Sequence, residues 1–386
     1  MNKLLSVIVP TRNRQIYCID AVKTILKDLD ERCELVIQDN SSDDCLKKQL
    51  ENLADSRIVY NYNPQPLSFI DNFEEAINLS SGDFFIVLGD DDSTTKDTVK
   101  IVEWMQENNI DSVASTKVVD YIWPNSNIEK YNRGLLSYYS YNKDIQQVNA
   151  LEQLKKLIQN GFLAYQMYDL PRTYHGIIRK SCMDEVKNIS GKYFGGLTPD
   201  IYSTIALSCV VKKHYVIDYP FSIAGACPAS ATVNATVGGH SGKLEDAPHF
   251  KNRGPYLWEN IIPAYYSVET IWAESAIKAL KCLDRADLLT KFDMYKLYIY
   301  GILINRKYIL RLSINQTLKL YSKLDSSLSI HILKISVKLV TVMASVLKKR
   351  IIGGHKPNKA IQTDSVYSLD EAKKILNESL KSVEWK

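Results

Sequence analysis

The chain has 386 residues, of which 45% are hydrophobic and 24% are charged, and such a composition is ordinary for a globular protein. It excludes disorder over most of the length and, at roughly 100 to 200 residues per domain, predicts two or three structural units. The formal net charge of +4 is unevenly distributed, because residues 291–356 carry 13 Lys and Arg against two Asp, whereas residues 1–290 carry 30 basic and 37 acidic side chains. The two parts are therefore expected to have different partners.

The seven cysteines are scattered along the chain, and none of them belongs to a CxxC pair. This spacing argues against a disulfide framework and against a zinc ribbon, and we interpret the cysteines as reduced thiols. The apolar run that precedes Pro10 is too short for the core of a signal peptide. The sequence therefore predicts a cytoplasmic protein.

The first hundred residues alternate β-branched runs with amphipathic helical segments. The third helical segment, which begins after Ser68 as its N-cap, precedes an apolar run that starts at Phe84. Strands separated by helices of this length indicate βαβ units and a parallel sheet, in which ligands bind beyond the carboxyl ends of the strands. The predicted strands are LLSVIVP, ELVIQD, RIVYNYN and FFIVLG.

Polar and acidic residues follow three of these strands. Thr11 to Arg14 end the first strand, Asp39 ends the second, and Asp90, Asp91 and Asp92 follow the fourth. Adjacent carboxylates at a strand end repel one another unless a cation neutralises them, and oxygen ligands suit Mg²⁺ or Mn²⁺ bound together with substrate phosphates. The triplet therefore predicts a diphosphate ligand, and the alternative is a solvated acidic turn.

The rest of the chain divides into an irregular and a helical part. Residues 130–250 are rich in Tyr, Gly and Ser with short strand-like pieces, and the chain turns helical after Pro255. Residues 328–352 place Lys334 and Lys338 on one stripe of an otherwise apolar helix. This helix is a weak candidate for a membrane span; we expect it to lie in a membrane interface or, alternatively, to pack in a bundle.

We divide the chain accordingly into a catalytic domain (1–250), a basic helical region that associates with a membrane or packs in a bundle (251–356), and a linker with a terminal helix (357–386). A capping box from Ser368 to Glu371 opens that last helix, which is expected to pack or pair.

Three segments carry a family resemblance: SVIVPTRNR, LVIQDNSSDD and SSGDFFIVLGDDD, in this order and at these spacings. They resemble the nucleotide-sugar domain of family-2 glycosyltransferases with the GT-A fold, over roughly residues 4–240. The resemblance implies a Rossmann-like, mostly parallel α/β sheet with helices on both faces and a helical C-terminal region. It also implies that the nucleotide is bound by Pro10, Thr11, Asn13, Asp39 and Asn72. Asp39 would accept a hydrogen bond from uracil N3–H, and its alternative role is an Asx turn.

The acidic triplet can be aligned with the family in two registers. Family members usually read D-S-D-D after the strand, which places Gly89 at the first acid and makes Asp91 the metal ligand. In the other register Asp90, Asp91 and Asp92 form the DxD element, with Asp92 on the metal and Asp90 near the ribose. Asp91 and Asp92 are thus the predicted ligands of Mn²⁺ or Mg²⁺.

The acceptor side requires a base, because the attacking hydroxyl must lose its proton. Asp200 resembles the family acid near the start of an acceptor-site helix, although an acid in a first helical turn is stabilising in any case. The segment before it, YHGIIRKSCMDEV, resembles the family segment that leads to this acid, and the resemblance implies that His175 and Gly176 lie near the donor sugar; a structural role is the alternative for His175. His240, in a long loop, is expected to complete the metal shell or to contact the diphosphate.

The predicted function is inverting, metal-dependent transfer of a sugar from a nucleotide donor, in the first place a UDP-sugar, to a lipid-diphosphate-linked or saccharide acceptor. Surface polysaccharide such as O-antigen or capsule is the expected product, made at the inner face of the cell membrane. A nucleotidyltransferase is an alternative, although TRNRQIY lacks the glycines of a phosphate loop. A second alternative is a non-catalytic scaffold that binds nucleotide sugars in a membrane polysaccharide assembly. Nucleic acid is not an expected partner. The sequence leaves open whether the protein forms a homo-oligomer.

Overall fold

The structure is a computed structural model that describes residues 3–125, 132–230, 241–322, 328–351, 360–383 and 385. The strands of these ranges are β1 Lys3–Thr11, β2 Cys33–Asp39, β3 Ile58–Tyr62, β4 Gly82–Val87, β5 Ser93–Thr94, β6 Ser112–Ser115, β7 Val119–Ile122, β8 Leu135–Tyr138, β9 Ile145–Val148, β10 Gly176–Arg179, β11 His214–Ile217, β12 Ser222–Ala226, β13 Ser241–Gly242, β14 Tyr266–Ser267 and β15 Ile361–Asp364. The helices are α1 Gln15–Leu26, α2 Cys45–Glu51, α3 Phe69–Asn78, α4 Thr98–Glu107, α5 Ala150–Gln159, α6 Lys180–Ser190, α7 Pro199–Val210, α8 Val268–Cys282, α9 Met294–Tyr321, α10 Leu328–Ile351 and α11 Leu369–Ser379.

The largest sheet has eight strands in the order β3-β2-β1-β4-β10-β6-β11-β9. The strands β3, β2, β1 and β4 are parallel to one another, and β6 and β11 form a further parallel pair. β10 is antiparallel to both of its neighbours, and β9 is antiparallel to β11. The predicted class, a mostly parallel α/β sheet followed by a helical C-terminal region, is confirmed.

Both faces of this sheet are covered, which explains the continuous apolar runs of its central strands. Val7 and Val9 of β1 lie in an apolar cluster with α1 and α4, whereas Ile8 between them lies in a second cluster with α3 and α6. The same alternation recurs in β4, where Phe84 joins the first cluster and Phe85 the second. Successive side chains of a strand point to opposite faces, so each face acquires its own helical layer.

The order of the strands reverses between β1 and β4. The chain runs outward from β1 to β2 and β3 and then crosses back to place β4 on the other side of β1. Such a reversal opens a crevice at the carboxyl ends of the two strands. Thr11 is the last residue of β1, and Asp90 follows β4 in the next turn, so both lie at this crevice.

Residues 130–250, which their composition suggested to be irregular, contain the helices α5, α6 and α7. The Asn149 side chain caps α5 by accepting a hydrogen bond from the Glu152 amide, and Leu154, Leu157 and Ile158 form the buried face of this helix. This i, i+3, i+4 spacing of apolar residues is typical of an amphipathic helix.

The helices α9 and α10 pack against each other and leave apolar side chains exposed. Ile330, Leu333, Val337 and Val340 of α10 follow one another on a single helix face and are 46%, 65%, 59% and 67% exposed. Lys338 forms an ion pair with Asp293 at the start of α9. None of the helices in the described ranges is long and apolar enough to cross a membrane.

The C-terminal segment returns to the first domain after this helical pair. β15 pairs antiparallel with β8 and thereby extends the second sheet, whose order is β15-β8-β7-β12-β5. The apolar residues of this segment lie in the same cluster as those of α1 and α4. They are Val366, Leu369, Ala372, Leu376, Leu380 and Trp385. The predicted terminal helix is α11, and it packs on α1.

Candidate active site

Asp90 and Arg14 meet at the crevice between β1 and β4. Thr11 Oγ1 donates a 2.6 Å hydrogen bond to Asp90 Oδ2. Arg14 reaches both carboxylate oxygens, with Nη2 2.5 Å from Oδ1 and Nε 3.1 Å from Oδ2 of Asp90. Burial raises the pKa of Asp90 above its ordinary value, although Arg14 opposes this shift. The buried carboxylate thus depends on one bidentate guanidinium for its counter-charge.

Asp92 is fully buried, and both of its carboxylate oxygens are engaged. Oδ2 accepts a 2.8 Å hydrogen bond from the Tyr174 hydroxyl and lies 3.1 Å from Nε2 of His175, while Oδ1 accepts a 2.7 Å bond from the Gly225 amide. Burial by itself would raise the pKa of Asp92, but His175 and the amides of Gly225 and Gly89 outweigh it and lower this pKa. Asp92 is therefore held as a carboxylate by its own surroundings.

Among the described residues, the polar contacts of the Asp91 carboxylate involve only one of its two oxygens, Oδ2. Its Oδ2 accepts a 2.9 Å hydrogen bond from the Cys227 amide and lies 3.5 Å from Nη1 of Arg14. Its backbone carbonyl accepts a 3.0 Å bond from Nε1 of Trp123, which fixes the turn. Burial and the charge of Asp92 raise the pKa of Asp91. Within the described part of the chain, no hydrogen bond or ion pair involves its Oδ1.

This arrangement fits a divalent ion that is held by one carboxylate. Mg²⁺ and Mn²⁺ keep several waters in proteins and often bind through one or two carboxylates together with substrate phosphates. Across the described ranges, no three His, Cys, Asp or Glu side chains form a ready-made metal cluster. Asp91 Oδ1 is thus the oxygen that can hold the ion, while Asp92 is already engaged. His240, the third predicted ligand, lies outside the described residues.

Gly89 is required by the crowding of this turn. A Cβ atom at residue 89 would lie 2.7 Å from the Tyr174 hydroxyl, 2.9 Å from Oδ2 of Asp92 and 3.0 Å from Oδ1 of Asp91. The family resemblance places an acid at residue 89. In this chain Tyr174 occupies the adjoining space, so a side chain could enter only if these groups moved.

The predicted nucleotide-binding residues lie around the end of β1. Pro10 is buried within β1, and Asn13 follows it in a left-handed conformation with φ of 56°. The Asn13 side chain oxygen accepts hydrogen bonds from the amide and hydroxyl of Ser42, both at 2.8 Å. Asn72 Nδ2 donates to the Thr11 carbonyl at 3.4 Å, and Asn72 Oδ1 is buried without a hydrogen-bond partner in the described residues. An orphaned buried amide oxygen of this kind can receive a donor from a ligand.

Asp39 lies beside Thr11 on the neighbouring strand, because Thr11 and Asp39 are paired in the β1–β2 register. Its Oδ1 accepts from the Ser41 amide at 2.9 Å, the contact expected of an Asx turn, and its Oδ2 accepts from the Tyr60 hydroxyl at 3.0 Å. Asp39 is fully buried. Ser41 also accepts a 2.8 Å hydrogen bond from the Asn13 amide, so the loops that follow β1 and β2 are joined to each other.

Asp200 lies in the first turn of α7, directly after Pro199. It is partly exposed, and its Oδ2 accepts a 3.3 Å hydrogen bond from the Tyr165 hydroxyl. Desolvation by the surrounding protein raises the pKa of Asp200, and the bond from Tyr165 opposes that shift. A partly exposed carboxylate with a raised pKa is suited to accept a proton.

Direct contacts connect α7 to the acidic turn. Ser203, one turn after Asp200, shares a 2.8 Å hydrogen bond with Thr173. The next two residues of the chain, Tyr174 and His175, are the ones that contact Asp92. A hydrogen bond and two consecutive residues of the chain therefore connect the helix of Asp200 to Asp92 of the acidic triplet.

His175 bridges Asp92 and Ser222. Its Nε2 faces Asp92, and its Nδ1 lies 2.9 Å from the Ser222 hydroxyl, which fixes the imidazole ring between the two. His175 has a φ of 54°, a conformation that costs energy for a residue with a Cβ. At Gly176 a Cβ would come within 2.1 Å of the Arg172 carbonyl, so only glycine fits. The turn is thus built to hold the imidazole against the acid.

The sequence-based hypothesis missed Arg14, Tyr165 and Tyr174. Arg14 was visible as the basic residue that ends PTRNR, and a triplet of acids requires a positive charge nearby. The sequence-based hypothesis assigns that charge to a metal ion alone, whereas Arg14 supplies part of it from the protein. No local signal distinguished Tyr165 or Tyr174 from the other tyrosines, since their roles depend on contacts with residues far along the chain.

Replacing Arg14 with methionine is expected to lower the free energy of unfolding by about 3 kcal/mol, because a buried carboxylate loses its counter-charge. Denaturation by urea at neutral pH measures this effect. In the double variant Arg14→Met, Asp90→Asn most of the loss should be regained. The matched control is Arg32→Met, which breaks ion pairs of a guanidinium that is 54% exposed and should cost at most about 1 kcal/mol. Equal losses in the two single variants would contradict the proposed role of Arg14.

The acidic cluster lies at the switch point of the sheet, where α/β domains bind ligands at the carboxyl ends of their strands. Residues 6–183 match the model of Glycosyl transferase family 2. This match confirms, over these residues, the family resemblance of the sequence motifs and the GT-A fold class.

Among curated proteins, GalNAc(5)-diNAcBac-PP-undecaprenol beta-1,3-glucosyltransferase of Campylobacter jejuni is 37% identical over 94 residues, which are 23% of this chain and 29% of that protein. The chain thus matches less than a third of the length of this relative.

Solved structures similar to the chain include S. aureus TarS 1-349 in complex with UDP, with 17% identity and a TM-score of 0.43 over 58% of this chain and 61% of that one. S. aureus TarS 1-349 in complex with UDP-GlcNAc has 15% identity and a TM-score of 0.46 over 82% of this chain and 89% of that one.

Proposed function

We propose that this protein is an inverting, metal-dependent glycosyltransferase that transfers a sugar from a nucleotide donor, in the first place a UDP-sugar, to a lipid-diphosphate-linked or saccharide acceptor. The observation that carries the proposal is the acidic turn at the switch point of a family-2 domain, where Asp91 keeps Oδ1 without a partner in the described residues. Two further observations support it: Asp39 pairs with Thr11 at the end of β1, and the helix that carries Asp200 is hydrogen-bonded through Ser203 to Thr173.

The donor is proposed to bind along the carboxyl ends of β1, β2 and β4. Asn72 Oδ1, buried without a hydrogen bond, offers an acceptor to the nucleoside. Asp39 would accept from uracil N3–H; each carboxylate oxygen has two lone pairs, so the present bonds from Ser41 and Tyr60 leave acceptor capacity. Because Asp39 is fully buried and the Asn13–Ser41 bond joins the loops that follow β1 and β2, we expect this bond to open when the base enters.

Asp91 is proposed to hold the divalent ion, and Asp92 and Asp90 to hold Asp91 in place. A bound Mn²⁺ or Mg²⁺ supplies charge neutralisation for the diphosphate that leaves with the nucleoside. Arg14 forms ion pairs with Asp90 and Asp91, and its positive charge offsets the repulsion between these carboxylates. Asp92 contributes by fixing the turn through Tyr174, His175 and the Gly225 amide. These roles favour the register in which Asp91 is the metal ligand and Gly89 replaces the first acid.

Asp200 is proposed to act as the general base. The acceptor hydroxyl oxygen forms a bond to the anomeric carbon as the bond from that carbon to the diphosphate oxygen breaks, and the diphosphate leaves with the electron pair. The hydroxyl proton passes to the carboxylate of Asp200. The raised pKa of Asp200 increases its affinity for this proton, and the hydrogen bond from Tyr165 orients the carboxylate. Attack from the face opposite the leaving group inverts the anomeric configuration.

The acceptor is proposed to be a lipid-diphosphate-linked glycan at the cytoplasmic face of a membrane, during assembly of a surface polysaccharide such as O-antigen or capsule. The Campylobacter jejuni relative, by its name, acts on a PP-undecaprenol-linked glycan. In this chain, residues 291–356 carry 13 basic side chains against two acidic ones, a charge that complements anionic headgroups. The exposed apolar face of α10 supplies the surface that would enter the headgroup region.

The triple variant Leu333→Gln, Val337→Gln, Val340→Gln is expected to weaken binding to vesicles that contain anionic lipid by about tenfold or more, because three exposed apolar side chains no longer enter the bilayer interface. Flotation with vesicles of phosphatidylcholine, with and without phosphatidylglycerol, measures this change. The control variant Ile145→Gln, Ile189→Gln replaces apolar residues of similar exposure, 45% and 50%, outside the helical pair. The membrane role is refuted if the triple variant floats like the wild type and the control variant. It is also refuted if light scattering shows that α10 forms a contact between two copies of the chain.

The proposed function is tested by a thermal-shift screen of UDP-, GDP-, CMP- and dTDP-sugars, with Mn²⁺ and with EDTA. We expect UDP-sugars to stabilise the protein in the presence of Mn²⁺, with slow release of UDP when no acceptor is present. Stabilisation by GDP-sugars instead would refute the role of Asp39. Binding without any turnover, in the presence of membrane extracts that supply acceptors, would favour a non-catalytic scaffold. No stabilisation by any nucleotide sugar would contradict the proposal.

A further inference from the structure

The end of the chain contacts the strand that directly follows the acidic triplet. Lys373 of α11 is almost fully buried and forms an ion pair with Asp28, which is buried as well. Asp28 Oδ2 in turn accepts a 2.7 Å hydrogen bond from the Thr94 hydroxyl of β5. Lys373 also donates to the carbonyl of Thr24 in α1, and the Thr24 hydroxyl accepts a 3.0 Å bond from Ser93. Both residues of β5 are thus connected to the α1–α11 contact.

β5 is connected to Asp92 through β12. Thr94 pairs with Ser222 in the β5–β12 ladder, and the Ser222 hydroxyl holds Nδ1 of His175, whose Nε2 faces Asp92. Gly225 of the same strand donates its amide to Oδ1 of Asp92. A displacement of β5 would therefore shift β12, and β12 contacts the turn both through His175 and through the Gly225 amide.

The stability of the C-terminal segment alone does not account for the buried charges. Six apolar residues of this segment already lie in the main apolar cluster. A buried ion pair costs desolvation energy and is often no more stable than apolar residues of the same size. The charged groups also fix the position of β5, because Asp28 Oδ2 accepts from both Lys373 and Thr94. An apolar pair would pack the helix without fixing the strand.

We propose that Lys373 and Asp28 are positioning residues for the acidic turn, so that residues 360–383 complete the donor site although they follow the helical pair in the chain. The Lys373–Asp28–Thr94 connection fixes β5, and β5 fixes Asp90, Asp91 and Asp92. The inference rests on the proposed function for its kinetic consequence, but the geometry of the turn can be measured without a donor.

The test compares Thr94→Val, which removes only the hydroxyl, with Thr94→Ser, which restores it. In Thr94→Val, we expect hydrogen exchange of the amides of residues 88–95 to become faster by about tenfold, and KM for the donor sugar and the Mn²⁺ requirement to rise by a similar factor with a smaller change in kcat. Thr94→Ser should behave like the wild type. The double variant Asp28→Asn, Lys373→Met removes both buried charges and should reproduce Thr94→Val.

The matched control is Lys27→Met, which breaks the exposed ion pair with Asp370 across the same α1–α11 contact but does not reach β5. It should leave both exchange at residues 88–95 and KM unchanged. The proposal is overturned if Thr94→Val alters only the melting temperature, or if Lys27→Met produces the same exchange pattern. If the wild type binds no nucleotide sugar, the proposed function fails, while the exchange measurement still decides the positioning role.

Discussion

Replacing Asp91 with asparagine is expected to reduce the rate of sugar transfer by about a thousandfold while the fold remains intact. The amide keeps the shape of the carboxylate and can still accept the hydrogen bond of the Cys227 amide through one oxygen. The variant loses the negative charge that would hold the divalent ion. Because two neighbouring acids remain buried beside it, removal of one negative charge should not destabilise the turn. Initial rates of UDP release at saturating Mn²⁺ and donor measure the effect.

The control for Asp91→Asn is Asp83→Asn, an exposed acid near the opposite end of β4 that should leave the rate unchanged. Asp92→Asn distinguishes the two registers of the triplet. Since Asp92 accepts bonds from Tyr174 and the Gly225 amide, we expect this variant to lose thermal stability together with activity. An Asp91→Asn enzyme with near-normal rates, beside an inactive but stably folded Asp92→Asn enzyme, would assign the metal to Asp92 and refute the register proposed here.

Replacing Asp200 with asparagine is expected to lower transfer to the acceptor by about a thousandfold, within the range of general-base catalysis, without weakening donor binding. The donor site is proposed to lie at the acidic turn, whereas Asp200 lies on α7, which the Thr173–Ser203 hydrogen bond connects to the segment that contacts this turn. The measurement is kcat for transfer together with the dissociation constant of the donor. An Asp200→Asn variant that transfers sugar at the wild-type rate would exclude this residue as the base.

The pH dependence of the rate gives an independent check on Asp200. A base acts only when it is deprotonated, so the rate should fall as pH decreases through the raised pKa of Asp200. The Tyr165 hydroxyl donates a hydrogen bond to the carboxylate and thereby lowers its pKa. In Tyr165→Phe this opposing effect is lost, and the acidic limb of the profile should move to higher pH. A limb that stays in place, or that moves to lower pH, would contradict the assignment.

The N-terminal half of the fold was predictable because its signals are local. The apolar runs of β1 and β4 are continuous since both faces of the sheet are covered, and Ser68 caps α3 by accepting from the Asp71 amide, as its position before an amphipathic segment indicated. The location of the acidic triplet followed from the rule for parallel sheets. The helix α5 carried an equally clear local signal in Leu154, Leu157 and Ile158, and the composition of the surrounding residues obscured it.

The contacts that define the site were not predictable from local patterns. Arg14 meets Asp90 only after β4 is placed beside β1, and His175 meets Asp92 only through the antiparallel pairing of β10 with β4. β15 has four residues without apolar alternation, IQTD, so nothing in the sequence indicated that it pairs with β8. The roles predicted for His175, Gly176 and His240 at the donor sugar and the metal stay predictions.

The most direct test of the account is a calorimetric titration of UDP into the wild-type protein and into Asp91→Asn, each with Mn²⁺ and with EDTA. We expect Mn²⁺ to tighten UDP binding to the wild type by about tenfold or more, and Asp91→Asn to bind UDP as weakly with Mn²⁺ as with EDTA. Equal affinities of the wild type with Mn²⁺ and with EDTA, or no heat of binding in either, would contradict it.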